Sequence, residues 1–269
     1  MAELVDIEKV IMSKNGGKQA SSLLVGILKK IIHEKEINQI LTNSAADNGV
    51  DFVDDVLNAL DVKIEVTGFE NLDPDKRYIF ASNHPLGGLD GMSLIKVIGR
   101  QYDGKIKFMA NDLLMNLKPL RNTFVPINKH GAQGRTFAAA VAEAFDSDNQ
   151  ILIFPAGACS RFRVSKGIYD LEWSKTFVNK AVQHQRDVVP IRFKGRNSIF
   201  FYALAFFRKS IGIKVNIEML FLPHEMFGNK HKTFKAYIGK PIPWETFDKS
   251  KTPQKWAQKV KETVYKLSK

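Results

Sequence analysis

The sequence predicts an α/β fold in which a mixed, largely parallel sheet is flanked by helices and follows an N-terminal helical segment. Up to about residue 60, apolar residues recur at the spacing of one helix face. Beyond that point, short β-rich runs alternate with helical stretches over about 200 residues, a pattern typical of helices packed on one sheet. We therefore divide the chain into an N-terminal helical segment, residues 1–60, and an α/β domain, residues 61–269.

The first segment contains two marked helices. Residues 23–33 carry leucine and isoleucine at helical spacing, with lysines and a histidine between them. Residues 50–60 place valine, phenylalanine and leucine on one face, and Asp61 then breaks the pattern. For the first of these helices we expect the apolar face to pack in the core; contact with a membrane surface is the alternative.

The second segment supplies the strands. The candidate strands are Lys63–Val66, Tyr78–Ser82, Ile106–Met109, Thr123–Ile127, Ile151–Phe154, Val188–Phe193, Lys214–Phe221 and Thr233–Ile238. Helices are predicted between them at Met92–Ile98, Gly134–Phe145 and Trp173–His184. The last helix begins at Thr252, a suitable N-cap, with Pro253 at the first helical position and an apolar stripe from Trp256 to Leu267.

The charge balance indicates an anionic partner. Forty Lys and Arg against 28 Asp and Glu give a formal net charge of +12 at pH 7 and a pI near 9.6. Such a surplus suits nucleic acid, an anionic membrane surface or an acidic carrier protein. We expect no nucleic-acid partner, because the sequence has no zinc-ligand spacing, no aromatic RNA-binding signature and no Lys/Arg cluster on one helix.

Cysteine usage and hydropathy predict the compartment. The single cysteine, Cys159, excludes an intramolecular disulfide and fits a reducing environment. The first residues lack the apolar core of a secretory signal, and the longest apolar run, Ile199–Phe207, is far shorter than the roughly 20 residues that span a bilayer. We expect a cytoplasmic protein that is peripheral on the inner face of the cell membrane. The six histidines show no paired-ligand spacing, so no metal site is expected.

The most informative segment for chemistry runs from Tyr78 to Asp90. An apolar strand ends at Asn83 and His84, a glycine-containing turn follows, and Asp90 opens the next helix. A carboxylate bonded to one imidazole nitrogen fixes the tautomer and leaves the other nitrogen as a base. The pattern therefore suits a catalytic His84–Asp90 pair. The alternative is a turn histidine, with Asp90 acting only as a helix cap.

A second strand end, from Gln150 to Arg163, combines a tight turn with cations. Its turn contains Gly157, and Arg161 and Arg163 lie just beyond it. Backbone amides and arginines of this kind suit an anionic headgroup or an oxyanion, although an ordinary strand turn with solvated charges would look the same. Cys159 and Ser160 lack the glycines of a nucleophile elbow, so we do not expect either to be a nucleophile.

Together these segments resemble the lysophospholipid acyltransferase family, which transfers acyl groups from coenzyme A or acyl carrier protein to glycerolipid hydroxyls. The motifs that carry the resemblance are Asn83-His84…Asp90, Phe124-Val125-Pro126, Phe154-Pro155-Ala156-Gly157 and Val189-Pro190-Ile191. The stretches Gly195–Ser198 and Ile238–Ile242 are similar to a hemolysin-like branch, some of whose members acylate lyso-ornithine or lyso-glycine lipids. The resemblance implies the glycerol-phosphate acyltransferase-like fold, a lyso-lipid acceptor, and catalysis by His84 and Asp90.

Three features of the sequence depart from the family pattern. The gap between His84 and Asp90 holds five residues where the family has four. Ala156 stands in place of the acidic residue of the third block, and Asn128 and Lys129 in place of the arginine of the second. In the family these last positions help to hold a glycerol phosphate. Their replacement favours an acceptor with a different headgroup, a lyso-aminolipid, over 1-acylglycerol-3-phosphate.

A membrane-contacting helix is predicted after residue 197. Phe200, Phe201, Leu204 and Phe207 would face the bilayer, with Arg208 and Lys209 at the level of the headgroups. A buried core helix is the alternative. The surplus of basic residues favours an anionic membrane surface as a partner.

The predicted reaction is direct acyl transfer from acyl carrier protein or coenzyme A to a lipid hydroxyl, without a cofactor. His84, oriented by Asp90, takes the proton of the hydroxyl as it attacks the thioester. We expect Asn83, Lys129, Gly157, Arg161 and Arg163 to contact the acceptor or the oxyanion. A non-catalytic lipid-binding protein remains the alternative of another class.

Overall fold

The computed structural model describes residues 4–14, 16–46, 48–110, 118–126, 134–213 and 215–268. The helices are α1 Ile7–Lys14, α2 Ser22–Ile32, α3 Glu34–Asn43, α4 Gly49–Ala59, α5 Gly88–Gln101, α6 Gly134–Asp146, α7 Thr176–His184, α8 Ile199–Ser210, α9 Leu222–Phe227 and α10 Pro253–Lys266. The strands are β1 Lys63–Thr67, β2 Tyr78–Ser82, β3 Ile106–Ala110, β4 Phe124–Pro126, β5 Gln150–Ile153, β6 Arg161–Arg163, β7 Gly167–Tyr169, β8 Asp187–Lys194 and β9 Thr233–Ile238.

A mixed, mostly parallel sheet organises the chain, as the sequence predicts. Seven strands lie in the order β1-β9-β8-β2-β5-β3-β4. Every pair is parallel except β8 and β9. Strand β2 lies between β5 and β8, with Phe80 opposite both Leu152 and Val189. A strand bonded on both sides holds the residues that follow it rigidly, which matters for the site described below.

Helices cover both faces of this sheet and form two hydrophobic cores. Along β2, Tyr78 and Phe80 point into the core that α4 and α5 close, while Ile79 and Ala81 point into the core closed by α6, α7 and α10. A central strand that is buried on both faces reads as a continuous apolar run, which explains why β2 was easy to identify. The division of the chain near residue 60 stays a prediction, and α4 shares the first of these cores with α5.

The last helix starts where the sequence indicates. Thr252 accepts a hydrogen bond from the backbone N–H of Lys255 and Pro253 occupies the first turn. The buried positions of α10 include Trp256, Val260 and Val264, which pack against the sheet. Its apolar stripe is therefore a core stripe.

One predicted strand is wrong. The segment Lys214–Phe221 was expected to be extended, but Ile217–Phe221 forms a 3-10 helix, and Lys214 lies outside the described residues. The reason is Glu218, whose fully buried carboxylate pairs with Arg161 and Arg208. The short helix packs against α8 and brings this carboxylate to both arginines.

The hairpin formed by β6 and β7 was not predicted. Its strands have three residues each and pair only with each other, so the sequence carries no period-two signal. The hairpin is exposed: Phe162 is 57% and Val164 94% accessible to solvent. Strand β6 packs against α8.

Helix α8 has a buried side and an exposed side, which corrects part of the membrane prediction. Phe201 is fully buried and Arg208 is buried in its ion pair with Glu218, so neither can face a bilayer. Phe200 and Phe207 are 51% and 62% exposed, and Lys209 is also exposed, whereas Leu204 is half-buried. The error arises because the run of aromatics contains residues on both sides of the helix, and the sequence alone does not say which side meets the protein. Among the described residues no helix is both long enough and apolar enough to cross a bilayer.

Candidate active site

The candidate site lies at the carboxyl end of β2, the usual position of reactive side chains in a parallel sheet. Asn83 and His84 directly follow the last residue of this strand. The Asn83 side chain donates to the backbone oxygen of Phe193 (2.9 Å) and accepts from its N–H (2.7 Å), so it prolongs the pairing of β2 with β8. Asn83 is 2% exposed, and both the nitrogen and the oxygen of its side-chain amide are bonded to the backbone of Phe193. Its side chain fixes the strand end, and a contact of Asn83 with the acceptor or the oxyanion stays a prediction.

His84 and Asp90 form a hydrogen-bonded pair. The imidazole Nδ1 lies 3.1 Å from Oδ2 of Asp90, whose carboxylate is fully buried. The backbone N–H of Leu86 donates to Oδ2 of Asp90 and that of Gly91 donates to Oδ1, each at a distance of 2.9 Å. These bonds stabilise the buried charge and hold the carboxylate in one orientation. The pairing leaves Nε2 of His84 as the nitrogen that can accept a proton from a substrate.

A glycine turn accommodates the five residues between His84 and Asp90. Gly87 adopts a positive φ of 83°, and a Cβ there would lie 2.8 Å from Leu222 and 3.0 Å from the sulfur of Cys159. Only glycine fits such a backbone at that distance from its neighbours. The longer spacing is thus absorbed without separating imidazole from carboxylate.

The electrostatic surroundings favour the charged form of His84. Burial disfavours the imidazolium, but the charge of Asp90 and its hydrogen bond outweigh burial, so the pKa of His84 lies above its ordinary value. The carboxylate of Asp170 adds to this effect and the guanidinium of Arg161 opposes it. The imidazole ring also stacks on Phe154, with ring centroids 4.0 Å apart. The side chain is 16% exposed, so substrate can approach one side of it.

A loop on the other side of the site grips the backbone of His84. The N–H of Ser160 donates to the carbonyl of His84 (2.7 Å), and the N–H of His84 donates to Oδ1 of Asp170 (3.3 Å). The hydroxyl of Ser160 donates to the same Asp170 oxygen over 2.5 Å. Sequence reasoning missed Asp170, because a single aspartate after an unrecognised hairpin has no spacing that marks it.

Neither Cys159 nor Ser160 is prepared as a nucleophile. Cys159 is fully buried, and burial raises the pKa of its thiol far above the usual range. Ser160 is 1% exposed and its hydroxyl donates its proton to Asp170; among the described residues no histidine ring is hydrogen-bonded to this hydroxyl. Both residues therefore serve the packing and hydrogen bonding of the site.

Gly157 does not provide a free amide for an oxyanion. Its N–H donates to the carbonyl of Phe154 over 3.0 Å within a turn where φ is +66°. The turn that the sequence pattern identified is real, but it is closed by this bond. The N–H of Gly157 is therefore not free for an oxyanion, and a contact of this residue with the acceptor stays a prediction.

The two predicted arginines occupy different environments. Arg161 is mostly buried, and its terminal nitrogens bond Glu218 (2.9 Å) and the carbonyl of Cys159 (3.0 Å). Arg208 also bonds Glu218, at a distance of 2.8 Å. Two guanidinium groups therefore share one carboxylate, and the cluster of three side chains keeps one positive charge. Arg163 lies exposed on the hairpin, and Lys129 falls outside the described residues. In the described part of the chain no group of three or more His, Cys, Asp or Glu could hold a metal ion.

Comparisons with known proteins give a consistent result. The model of a family described as acyltransferase matches residues 14–268. A lyso-glycine lipid O-acyltransferase from Bacteroides thetaiotaomicron is 53% identical over 266 residues, which cover 98% of this chain and 97% of the relative. A protein of the same name from Phocaeicola vulgatus is 52% identical, with 98% and 95% covered. Among solved structures, a 1-acyl-sn-glycerophosphate (LPA) acyltransferase, PlsC, from Thermotoga maritima aligns with a TM-score of 0.48 and 16% identity, over 98% of this chain and 91% of that one.

Proposed function

The chain belongs to the acyltransferase family, and from that premise we propose that it transfers a fatty acyl group from a thioester donor to the hydroxyl of a lyso-glycine lipid. The observation that carries this acceptor is the near full-length similarity to two bacterial lyso-glycine lipid O-acyltransferases. The hydrogen-bonded pair of His84 and Asp90 supports catalysis in preference to a passive lipid-binding role.

In the proposed mechanism His84 is the general base. Its Nε2 takes the proton of the acceptor hydroxyl as the oxygen attacks the thioester carbonyl. The tetrahedral intermediate then collapses, the carbon–sulfur bond breaks, and His84 returns the proton to the leaving thiolate. Asp90 stabilises the imidazolium between these two steps. The scheme requires neither an acyl-enzyme nor a cofactor.

The charge near the base suits an acceptor that carries a carboxylate. Arg161 acts electrostatically on His84, and the cluster of Arg161, Arg208 and Glu218 retains one positive charge. A glycine lipid presents a carboxylate, which guanidinium groups bind well. Arg163, which is exposed, would make the bidentate contact, while Arg161 contributes to the positive charge of the cluster. Ala156 supplies no competing negative charge.

We propose that the protein works on an anionic membrane surface at the inner face of the cell membrane. The exposed aromatics of α8, among them Phe200 and Phe207, would enter the interface with Lys209 at the headgroups. The net charge of +12 also fits an acidic acyl carrier protein as donor, which we favour over coenzyme A.

The test is acyl transfer by the purified protein to lyso-glycine lipid and to lysophosphatidic acid at equal concentration, with acyl carrier protein and coenzyme A donors in parallel. We expect faster transfer to lyso-glycine lipid.

The same assay compares His84→Ala with a matched control, His231→Ala. His231 also pairs with a carboxylate, that of Asp61 at 3.0 Å, but on the surface. A clear preference for lysophosphatidic acid would assign the protein to phosphatidic acid synthesis, and no turnover with either acceptor would favour lipid binding alone.

A further inference from the structure

Asp170 is a buried carboxylate that neither the family motifs nor the proposed mechanism uses. It is fully buried and accepts three hydrogen bonds. One oxygen accepts from the backbone of His84 (3.3 Å) and the hydroxyl of Ser160 (2.5 Å), and the other accepts from the indole N–H of Trp173 (2.8 Å). Burying a carboxylate costs free energy unless it is hydrogen-bonded, and these three bonds offset part of that cost. One of them also fixes the backbone of His84.

The last helix holds Asp170 in position. The hydroxyl of Tyr265 accepts the N–H of Asp170 over 2.8 Å. The ammonium group of Lys261 donates to the carbonyls of Asp170 (2.8 Å) and Leu171 (2.6 Å). Burial lowers the pKa of Lys261 to about 8, although the negative charge of Asp170 partly opposes this change. The backbone and the side chain of Asp170 are therefore bonded on opposite sides, to α10 and to the end of β2.

We propose that Asp170 is a second acidic positioning residue for His84. Asp90 orients the imidazole through Nδ1, and Asp170 orients the main chain that carries it. Together with the N–H of Ser160, it holds the donor and the acceptor of the His84 peptide backbone at once. The inference rests on the proposed role of His84 as general base.

The role separates into a geometric part and an electrostatic part. The charged groups that act on His84 are Asp90 from α5, Asp170 from the loop after β7, and Arg161 from β6. Removing the charge of Asp170 leaves Arg161 less opposed, so His84 becomes easier to deprotonate. Loosening the backbone without removing the charge would misplace the base and leave its titration unchanged.

The experiment measures the titration of His84 and the rate of transfer in the same variants. In Asp170→Asn we expect the imidazole pKa of His84, followed by NMR without substrates, to fall below its wild-type value, because a neighbouring negative charge is removed. The acidic limb of kcat/KM should move down with it, and kcat should fall by about tenfold to a hundredfold. Glu172→Gln is the matched control. Glu172 lies two residues beyond Asp170, and its exposed side chain bonds Gln254. Removing its charge should change neither the pKa of His84 nor kcat.

Tyr265→Phe tests the geometric part alone and serves also if Asp170→Asn does not fold. It removes one acceptor of Asp170 and keeps both the ring and the carboxylate. We expect kcat to fall severalfold with the His84 titration unmoved. Wild-type kcat in Tyr265→Phe, or an Asp170→Asn protein that folds and titrates as wild type does, would overturn the proposal. The NMR titration does not depend on turnover. If the wild-type protein has no acyltransferase activity, the proposed function is refuted, while the effect of Asp170→Asn on the pKa of His84 is still measured.

Discussion

The chemistry of single residues centres on the imidazole of His84, whose side chain and backbone are both held. We expect His84→Ala to lower kcat by about a hundredfold to ten-thousandfold, the usual contribution of a general base. The protein should stay folded, since His84 is bonded through atoms of its backbone that alanine retains. Near-normal turnover of purified His84→Ala, beside an unaffected His231→Ala, would contradict the mechanism.

The pH dependence follows from the same residue. A general base works when it is neutral, so activity should be lost as pH falls through the raised pKa of His84. The acidic limb should therefore lie above the ordinary histidine value of about 6.5. In Asp90→Asn the largest source of this increase is gone, so the limb should move to lower pH and kcat should fall. A profile of kcat/KM against pH for both proteins measures the shift; a limb that stays in place would mean that another group titrates.

Two adjacent glycines allow a matched comparison. Gly87→Ala places a Cβ 2.8 Å from Leu222 at a φ of 83°, so we expect a loss of about 1–3 kcal/mol in the free energy of unfolding and a weakened His84–Asp90 pair. Gly88→Ala meets nothing closer than 3.9 Å, at Met92, and should change stability little. Denaturant unfolding and kcat of both variants give the result. Equal effects at the two positions would show that the turn is not what holds the pair.

At the scale of elements, α8 separates packing from membrane contact. Phe201→Ser should cost about 3–5 kcal/mol in the free energy of unfolding, because the ring is fully buried. Phe200→Ser with Phe207→Ser should leave the melting temperature nearly unchanged and weaken sedimentation with anionic vesicles. If the double variant instead melts early, the two exposed rings contribute to packing within the protein, and their assignment to the bilayer interface is contradicted.

The elements that the sequence predicts well are those with strong local patterns. Strand β2 and helix α10 were located correctly because an apolar run and a capped apolar stripe each identify one structure. The 3-10 helix around Glu218 and the buried side of α8 carry ion pairs of Glu218 with Arg161, 57 residues away, and with Arg208, ten residues away. The same holds for Asp170, which reaches His84 across the site. Such non-local partners leave no periodic pattern in a single sequence, so the sequence alone does not predict these features.

At the scale of the whole molecule, the net charge of +12 predicts a salt-dependent attachment. Screening lengths fall from about 10 Å at 0.1 M salt to about 3 Å at 1 M, so binding to anionic vesicles should weaken as sodium chloride is added. Binding to neutral vesicles should be weak at every salt concentration. Vesicle co-sedimentation across this range tests the idea, and affinity that ignores salt would assign attachment to the apolar side chains alone.

The β6–β7 hairpin has a mechanical consequence. Its two ends, Ser160 and Asp170, are the residues that grip the backbone of His84, while Val164 at its tip projects into solvent. The hairpin therefore connects a solvent-exposed tip to the backbone of His84, and we expect contact of this tip with a membrane to act on the position of the imidazole. Turnover of an acceptor too short to enter a bilayer should rise when empty anionic vesicles are added, and Phe162→Ser with Val164→Ser should abolish that response. Such an enzyme would turn over slowly in water and faster at the membrane surface that supplies its substrate.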